Sequence, residues 1–136
     1  MIRTYSDLSK LKTLEERFQY LKLGDRAGVE TFGFDRYLNQ KFYSDPEWKR
    51  IRDQIIIRDN GNEMGLEDYP INGSVYVHHM NPITIKDIDE WSEYLIEPEY
   101  LISMSFKLHN AIHFGDDSVL TQFKLTERKP GDTKLW

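Results

Sequence analysis

The four histidines of the chain form two pairs in its second half. His78 and His79 are adjacent at the end of a strand-like run, and His109 and His113 lie four residues apart where the pattern becomes helical. A spacing of four places two side chains on one helical face, roughly 6 Å apart at Cβ. Two imidazoles from one helical turn and one from a facing strand can bind a divalent metal ion, and the fourth imidazole is then left for chemistry.

The elements that must position these histidines are two strands and a helix. Ser74–Val77 leads into the first pair, and Tyr100–Met104 is a second strand-like run directly before the helical segment of 105–114. In a regular strand, His78 and His79 face opposite ways. Because Pro82 follows closely, the strand either twists or ends at this pair, or the substrate lies between the two rings. We predict that the strands pair antiparallel and that the helix packs across them.

Further helices are predicted towards the N-terminus. Thr13 followed by Glu16 is a capping-box pattern that begins a helix at about 14–23. Ser44 as a cap, with Pro46 in the first turn, begins a second helix, which Asn60-Gly61 ends. Trp48, Ile51 and Ile55 are the buried stripe of this second helix.

Three arginines of the second helix, Arg50, Arg52 and Arg58, lie mostly off its apolar stripe. Two interpretations are open for them: a solvated face, or contacts with nucleic-acid phosphates.

Acidic residues are dense in the segment 83–99, whose centre, Thr84–Trp91, is predicted as a short capped helix. Its carboxylates are either metal ligands or a solvated surface, and the second is favoured. A strand-like run at Val119–Leu125 follows in the tail.

Composition indicates one globular domain, residues 1–136, with ordinary apolar content and many aromatic residues. The sequence has no run of 18 apolar residues, so no membrane span is predicted. The N-terminus lacks the apolar region of a secretory signal, and the absence of cysteine fits a cytoplasmic setting.

The charge is unevenly distributed along the chain. Residues 1–58 contain twelve Lys/Arg and nine Asp/Glu, whereas residues 59–108 contain two and ten. The negative net charge of the chain disfavours nucleic-acid binding by counterion release, but the basic excess of residues 1–58 leaves one segment that could contact phosphates.

These motifs resemble the core of the HNH endonucleases, also called ββα-metal or His-Me finger nucleases. The resemblance covers the core 74–114 best, and residues 42–61 are similar to the helix that leads into an HNH core. Tandem histidines followed by a pair at i, i+4 look most like the DNase colicins. The layout of the whole chain is similar to the small HNH proteins of tailed bacteriophages and prophages, which implies the cytoplasm of a bacterial host.

The resemblance implies an α+β fold, with a ββα-metal core and a helical extension over residues 1–60. It also implies a role for each histidine: His78, His109 and His113 bind the metal, and His79 is the general base. Pro82 matches the proline that follows the tandem pair in the family. The implied activity is hydrolysis of DNA phosphodiester bonds with one divalent ion. Imidazole ligands favour Zn, Ni or Mn over Mg, and the resemblance allows Mg as well.

The chain departs from the family at Tyr100, where most members have an asparagine that orients the loop between the strands. Asn81 and Asn110 are the candidates to compensate. This departure and the acidic surface suit an alternative function: a catalytically weak or inactive HNH module that is an accessory or docking component of a phage DNA-packaging assembly, with the terminase as partner. A third alternative is a purely structural zinc site. Such a site needs four protein ligands, so His79 would join the other three.

Overall fold

The computed structural model describes residues 2–22 and 41–123, which form short helices around one antiparallel sheet. Their α-helices include α1 (Tyr5–Leu8), α2 (Leu14–Leu21), α3 (Pro46–Arg58), α4 (Ile85–Glu90), α5 (Glu93–Ile96) and α6 (Phe106–Phe114). The strands are β1 (Val75–His79) and β2 (Leu101–Ser105), and 3-10 turns lie at Glu63–Gly65, Pro98–Tyr100 and Asp117–Gln122. The α+β class, with a two-stranded sheet, a following helix and further helices towards the N-terminus, is confirmed. Among the described residues, no helix has both the length and the apolar character needed to cross a bilayer.

The predicted pairing of the core strands is confirmed. β1 and β2 are antiparallel, with Val75 opposite Ser105 and His79 opposite Leu101. β1 stays regular through His79, so the two histidines face opposite sides of the sheet. Beyond the strand, the backbone N–H of Met80 still donates to the carbonyl of Tyr100 at 3.0 Å. The pairing therefore ends after the tandem pair and not within it.

The two faces of the sheet belong to two separate apolar clusters. Ile102 and Met104 of β2 pack with the buried face of α6 and with α1 and α2. Val77 and Leu101, which face the other way, pack with α3 and α5. The predicted stripe of α3, Trp48, Ile51 and Ile55, is buried in this second cluster. Alternation along the strands thus places one histidine of the tandem pair on each side.

Local signals account for most helix ends. The Thr13 hydroxyl accepts the N–H of Glu16 at the start of α2, and Thr84 and Asp87 form a reciprocal capping box at the start of α4. The predicted cap of α3 was wrong by one residue, because the carboxylate of Asp45 and not Ser44 accepts the N–H of Glu47. The strand expected at Val119–Leu125 was also wrong where the structure describes it, since Asp117–Gln122 is a 3-10 turn.

Candidate metal centre

His78 reaches the centre from the sheet. It lies in β1 opposite Ile102, and its side chain is only 2 % exposed. Among the described residues, the Nε2 atom of His78 is buried and has no hydrogen-bond partner. A buried polar atom left in this way costs about 1–3 kcal/mol, which a bound cation would remove.

His109 and His113 reach the centre from α6. The helix begins at Ser105, whose hydroxyl accepts the N–H of Leu108, and ends at Gly115, whose φ of 68° is in the left-handed region that suits glycine. The four-residue spacing brings the Nε2 atoms of the two histidines to 3.2 Å. Two nitrogens bound at about 2.05 Å to one tetrahedral zinc ion lie about 3.3 Å apart, so this pair already has the separation that a shared ion requires.

The three imidazoles converge. One nitrogen from each of His78, His109 and His113 lies within 4.8 Å of the others, and the rings meet edge to face with centroids 4.5 to 5.2 Å apart. No other cluster with these ligand types is found among the described residues, so the acidic segment 83–99 does not form a second one there. Three nitrogen donors and no thiolate or carboxylate suit a zinc-like ion whose coordination shell still has room for water or substrate.

The electrostatics keep these ligands neutral. Burial lowers the pKa of His109 and of His113 to about 4, with the neighbouring imidazole adding to the effect at His109. Burial and then the two neighbouring imidazoles lower the pKa of His78 well below its ordinary value. A metal competes with protons for the imidazole nitrogen, so ligands that are unprotonated at pH 7 favour binding.

His79 is not part of this cluster and occupies a different environment. Its ring stacks on Trp48, with centroids 5.1 Å apart and 21° between the planes, and Phe42 and Tyr43 lie at 6.1 and 6.4 Å. Its Nε2 atom lies 3.0 Å from the carbonyl oxygen of Leu95. Because a carbonyl can only accept, Nε2 carries the proton and the lone pair is on Nδ1. Burial lowers the pKa of His79 to about 4, although the Leu95 hydrogen bond and the charge of Asp87 raise it.

The three arginines differ in their surroundings. Arg50 pairs with Glu47 on the surface of α3, and Arg52 lies 3.9 Å from Asp53, with side chains 59 % and 48 % exposed. Arg58 is turned inwards. Its guanidinium bonds the buried carboxylate of Asp59 and the carbonyls of Pro98 and Leu101, and it lies 3.8 Å above the ring of Tyr5. The donors of Arg58 are therefore used within the protein, whereas Arg50 and Arg52 stay at the surface.

The two asparagines also differ. The side-chain oxygen of Asn81 accepts the backbone N–H of Arg3 at 2.7 Å, and the side-chain NH2 of Asn81 donates to the backbone carbonyl of Arg3 at 2.9 Å. Asn81 thus ties the segment after β1 to the N-terminal segment. The side-chain amide of Asn110, half-buried on α6, has no hydrogen bond to the described residues. Tyr100, where the resemblance leads to an expected asparagine, contributes a backbone carbonyl to Met80 and a ring contact with Tyr94.

Several neighbours of the histidines were missed by sequence reasoning. The carbonyl of Leu95 and the ring of Trp48 could not be assigned to His79, because their contacts join segments distant in the chain. Tyr76 and Phe106, which lie beside His109, could have been found. Tyr76 is two residues before His78 on a strand, and Phe106 is three residues before His109 on a helix, so each shares a face with a candidate metal ligand.

Comparisons of the chain with protein-family models, curated proteins and solved structures give no match.

Proposed function

We propose that the protein is a divalent-metal-dependent DNA endonuclease of the HNH type, which hydrolyses phosphodiester bonds with one metal ion and a histidine base. One observation carries the proposal: three of the four histidines converge, and the fourth, adjacent in sequence to one of them, is held apart by a backbone carbonyl. A purely structural site would use all four as ligands. An arrangement with three ligands and one separate imidazole suits hydrolysis.

The roles follow from the placement of each ring, three of which converge while the fourth bonds to Leu95. His78, His109 and His113 would hold the ion through neutral imidazole nitrogens. When bound, the ion supplies Lewis-acid stabilisation to the phosphate and to the leaving 3′ oxygen. Nδ1 of His79 would take a proton from water, the resulting hydroxide would attack phosphorus, and the 3′ oxygen would leave with the electron pair of its bond to phosphorus. Because the rings of His78 and His79 face opposite sides of the sheet, the phosphate would have to lie between them at the end of β1. A base of this kind contributes roughly 10²–10⁴-fold.

The low pKa of His79 bears on its strength as a base. A group with a pKa of about 4 is unprotonated at pH 7 but accepts a proton weakly. A bound phosphodiester is negatively charged and raises the pKa of a nearby imidazole towards the range that suits a base. The hydrogen bond to Leu95 acts in the same direction, because it stabilises the protonated ring.

Supercoiled plasmid is the test substrate. We expect nicking or linearisation that EDTA abolishes and that Zn, Ni, Mn or Mg restores to different degrees. The His79→Ala variant is the control for a contaminating nuclease, since it should bind metal yet cleave far more slowly. Absence of cleavage of both the plasmid and a single-stranded DNA with all four metals would refute the proposal.

A second candidate keeps the metal site without efficient cleavage. Three features favour it: Arg58 bonds within the protein, the segment 83–99 is acidic, and the pKa of His79 is low. In this form the chain is an accessory or docking module of a phage DNA-packaging assembly, with the terminase as partner in the cytoplasm of a bacterial host. Metal binding in titration, together with no plasmid cleavage, would favour this candidate.

A further inference from the structure

Two exposed aromatic rings lie next to the metal ligands. Tyr76 is 41 % exposed and Phe106 is 55 % exposed, and their ring centroids are 5.5 Å apart. Large aromatic side chains normally bury most of their surface, so an exposed pair in contact is unusual unless it serves binding. We call Tyr76 and Phe106 the aromatic platform.

The aromatic platform is continuous with the metal centre. The ring of Tyr76 is nearly parallel to that of His109, with 18° between the planes and 6.2 Å between the centroids. Tyr76 lies on the same strand face as His78, and Phe106 lies one helical turn before His109. A phosphodiester held at the three imidazoles would therefore have a neighbouring base within reach of these rings.

The charges of the described residues give phosphate binding little support, so stacking is the stronger source of affinity. Arg58 is bonded internally, Arg50 and Arg52 each lie beside a carboxylate, and residues 59–108 contain ten Asp/Glu against two Lys/Arg. Binding through phosphate neutralisation is weak for such a surface. Stacking of one base on an aromatic side chain is worth about 1–3 kcal/mol and does not require positive charge.

We propose that Tyr76 and Phe106 bind an unpaired nucleobase beside the scissile phosphate, which makes single-stranded DNA the preferred substrate. In a duplex, each base is covered on both faces by its neighbours, so only an unstacked base can lie on the platform. The inference rests on the proposed nuclease function for the position of the phosphate, but the binding step can be tested separately.

The probe is a single-stranded oligodeoxynucleotide with 2-aminopurine at one position, whose fluorescence is quenched when the base stacks. The same sequence as a blunt duplex is the comparison, and both are titrated with full-length protein in EDTA and in zinc. We expect the wild type to prefer the single strand. Tyr76→Ala and Phe106→Ala should each weaken single-strand binding by roughly 5- to 150-fold, which corresponds to the loss of one stacked base. Tyr76→Trp should retain both binding and quenching.

Ile57→Ala is the matched control, because Ile57 is an apolar residue of α3 that is 73 % exposed. The Ile57→Ala variant should bind the probe as the wild type does. Thermal unfolding of each variant establishes that it is folded, and the Tyr76→Trp variant separates loss of the aromatic ring from loss of the tyrosine itself. Equal affinity of the wild type for single strand and duplex, or unchanged binding by Tyr76→Ala, would overturn the inference. Plasmid cleavage would in that case leave the nuclease proposal intact. Ring-dependent binding of the single strand without cleavage in any metal would refute the nuclease and retain the platform.

Discussion

Replacement of His79 by alanine should separate cleavage from metal binding. The ring is on the opposite sheet face from the three clustered imidazoles, and its Nε2 atom contacts the carbonyl of Leu95. The substitution removes that hydrogen bond, worth about 1 kcal/mol, and the stacking on Trp48, worth about 0.5–1.5 kcal/mol. We therefore expect a folded protein that is modestly less stable. Loss of the base should lower the cleavage rate by roughly 10²–10⁴-fold, or about 2.7–5.4 kcal/mol in the activation free energy.

The assay compares His79→Ala with His78→Ala, a substitution of the same residue type one position away. Zinc affinity by isothermal titration should be unchanged in the first variant and reduced in the second, whose cleavage should recover in part at high metal concentration. At saturating metal, the wild-type rate should fall as the pH drops below the pKa of His79, which is about 4 in the free protein and is raised when a phosphodiester binds, because the proton acceptor becomes protonated. This fall of the cleavage rate at low pH should be absent in His79→Ala. Loss of zinc binding in His79→Ala but not in His78→Ala would refute the assignment of roles.

The other predictions concern the metal ligands, the arginines and the pH dependence of stability. His109→Ala and His113→Ala should each lower zinc affinity in isothermal titration, since each removes one of three nitrogens, and wild-type affinity in both would place the metal elsewhere. If the basic excess of residues 1–58 contacts DNA, Arg50→Ala or Arg52→Ala should weaken binding and reduce its logarithmic salt slope by about one per lost phosphate contact, and an unchanged slope would assign them to a solvated face. Arg58→Ala should instead lower the free energy of unfolding by about 3–5 kcal/mol, because it leaves the carboxylate of Asp59 buried without its partner, and wild-type stability in urea would contradict this. The metal-free protein should lose stability as the pH falls from about 6.5 to 4, since the unfolded chain binds protons there that the folded histidines do not; His113 alone accounts for about 3 kcal/mol. Urea titrations across this range measure the effect, and saturating zinc during the same titrations should abolish the part that arises at the ligands.

Much of the site could be predicted because its parts are local. The four-residue spacing of His109 and His113 places both on one helical face in any α-helix, and alternation along a strand separates His78 from His79 whatever surrounds them. The start of α2 at Thr13 and the capping box at Thr84 are likewise decided by neighbouring side chains. These features depend on residues within one helical turn or one strand repeat.

The tertiary structure decided which side chains meet across long stretches of sequence. Arg58 lies off the apolar stripe of its helix, yet the carbonyls of β2 and the preceding turn take up its donors. The strand expected near Val119 was wrong, because Val119 is buried in the first apolar cluster from a 3-10 turn, and this packing outweighs its strand propensity.

The environment of His79 depends on the same long-range packing. Leu95 and Trp48 come from segments on either side of β1, and burial among them lowers the pKa of the imidazole. The sequence by itself determined that three imidazoles could share an ion and that the fourth would face away only if the strand stayed regular through His79, which the structure then showed. Only the tertiary structure decided what the fourth would contact, because contacts between distant segments arise from the packing of the whole core and not from local backbone geometry.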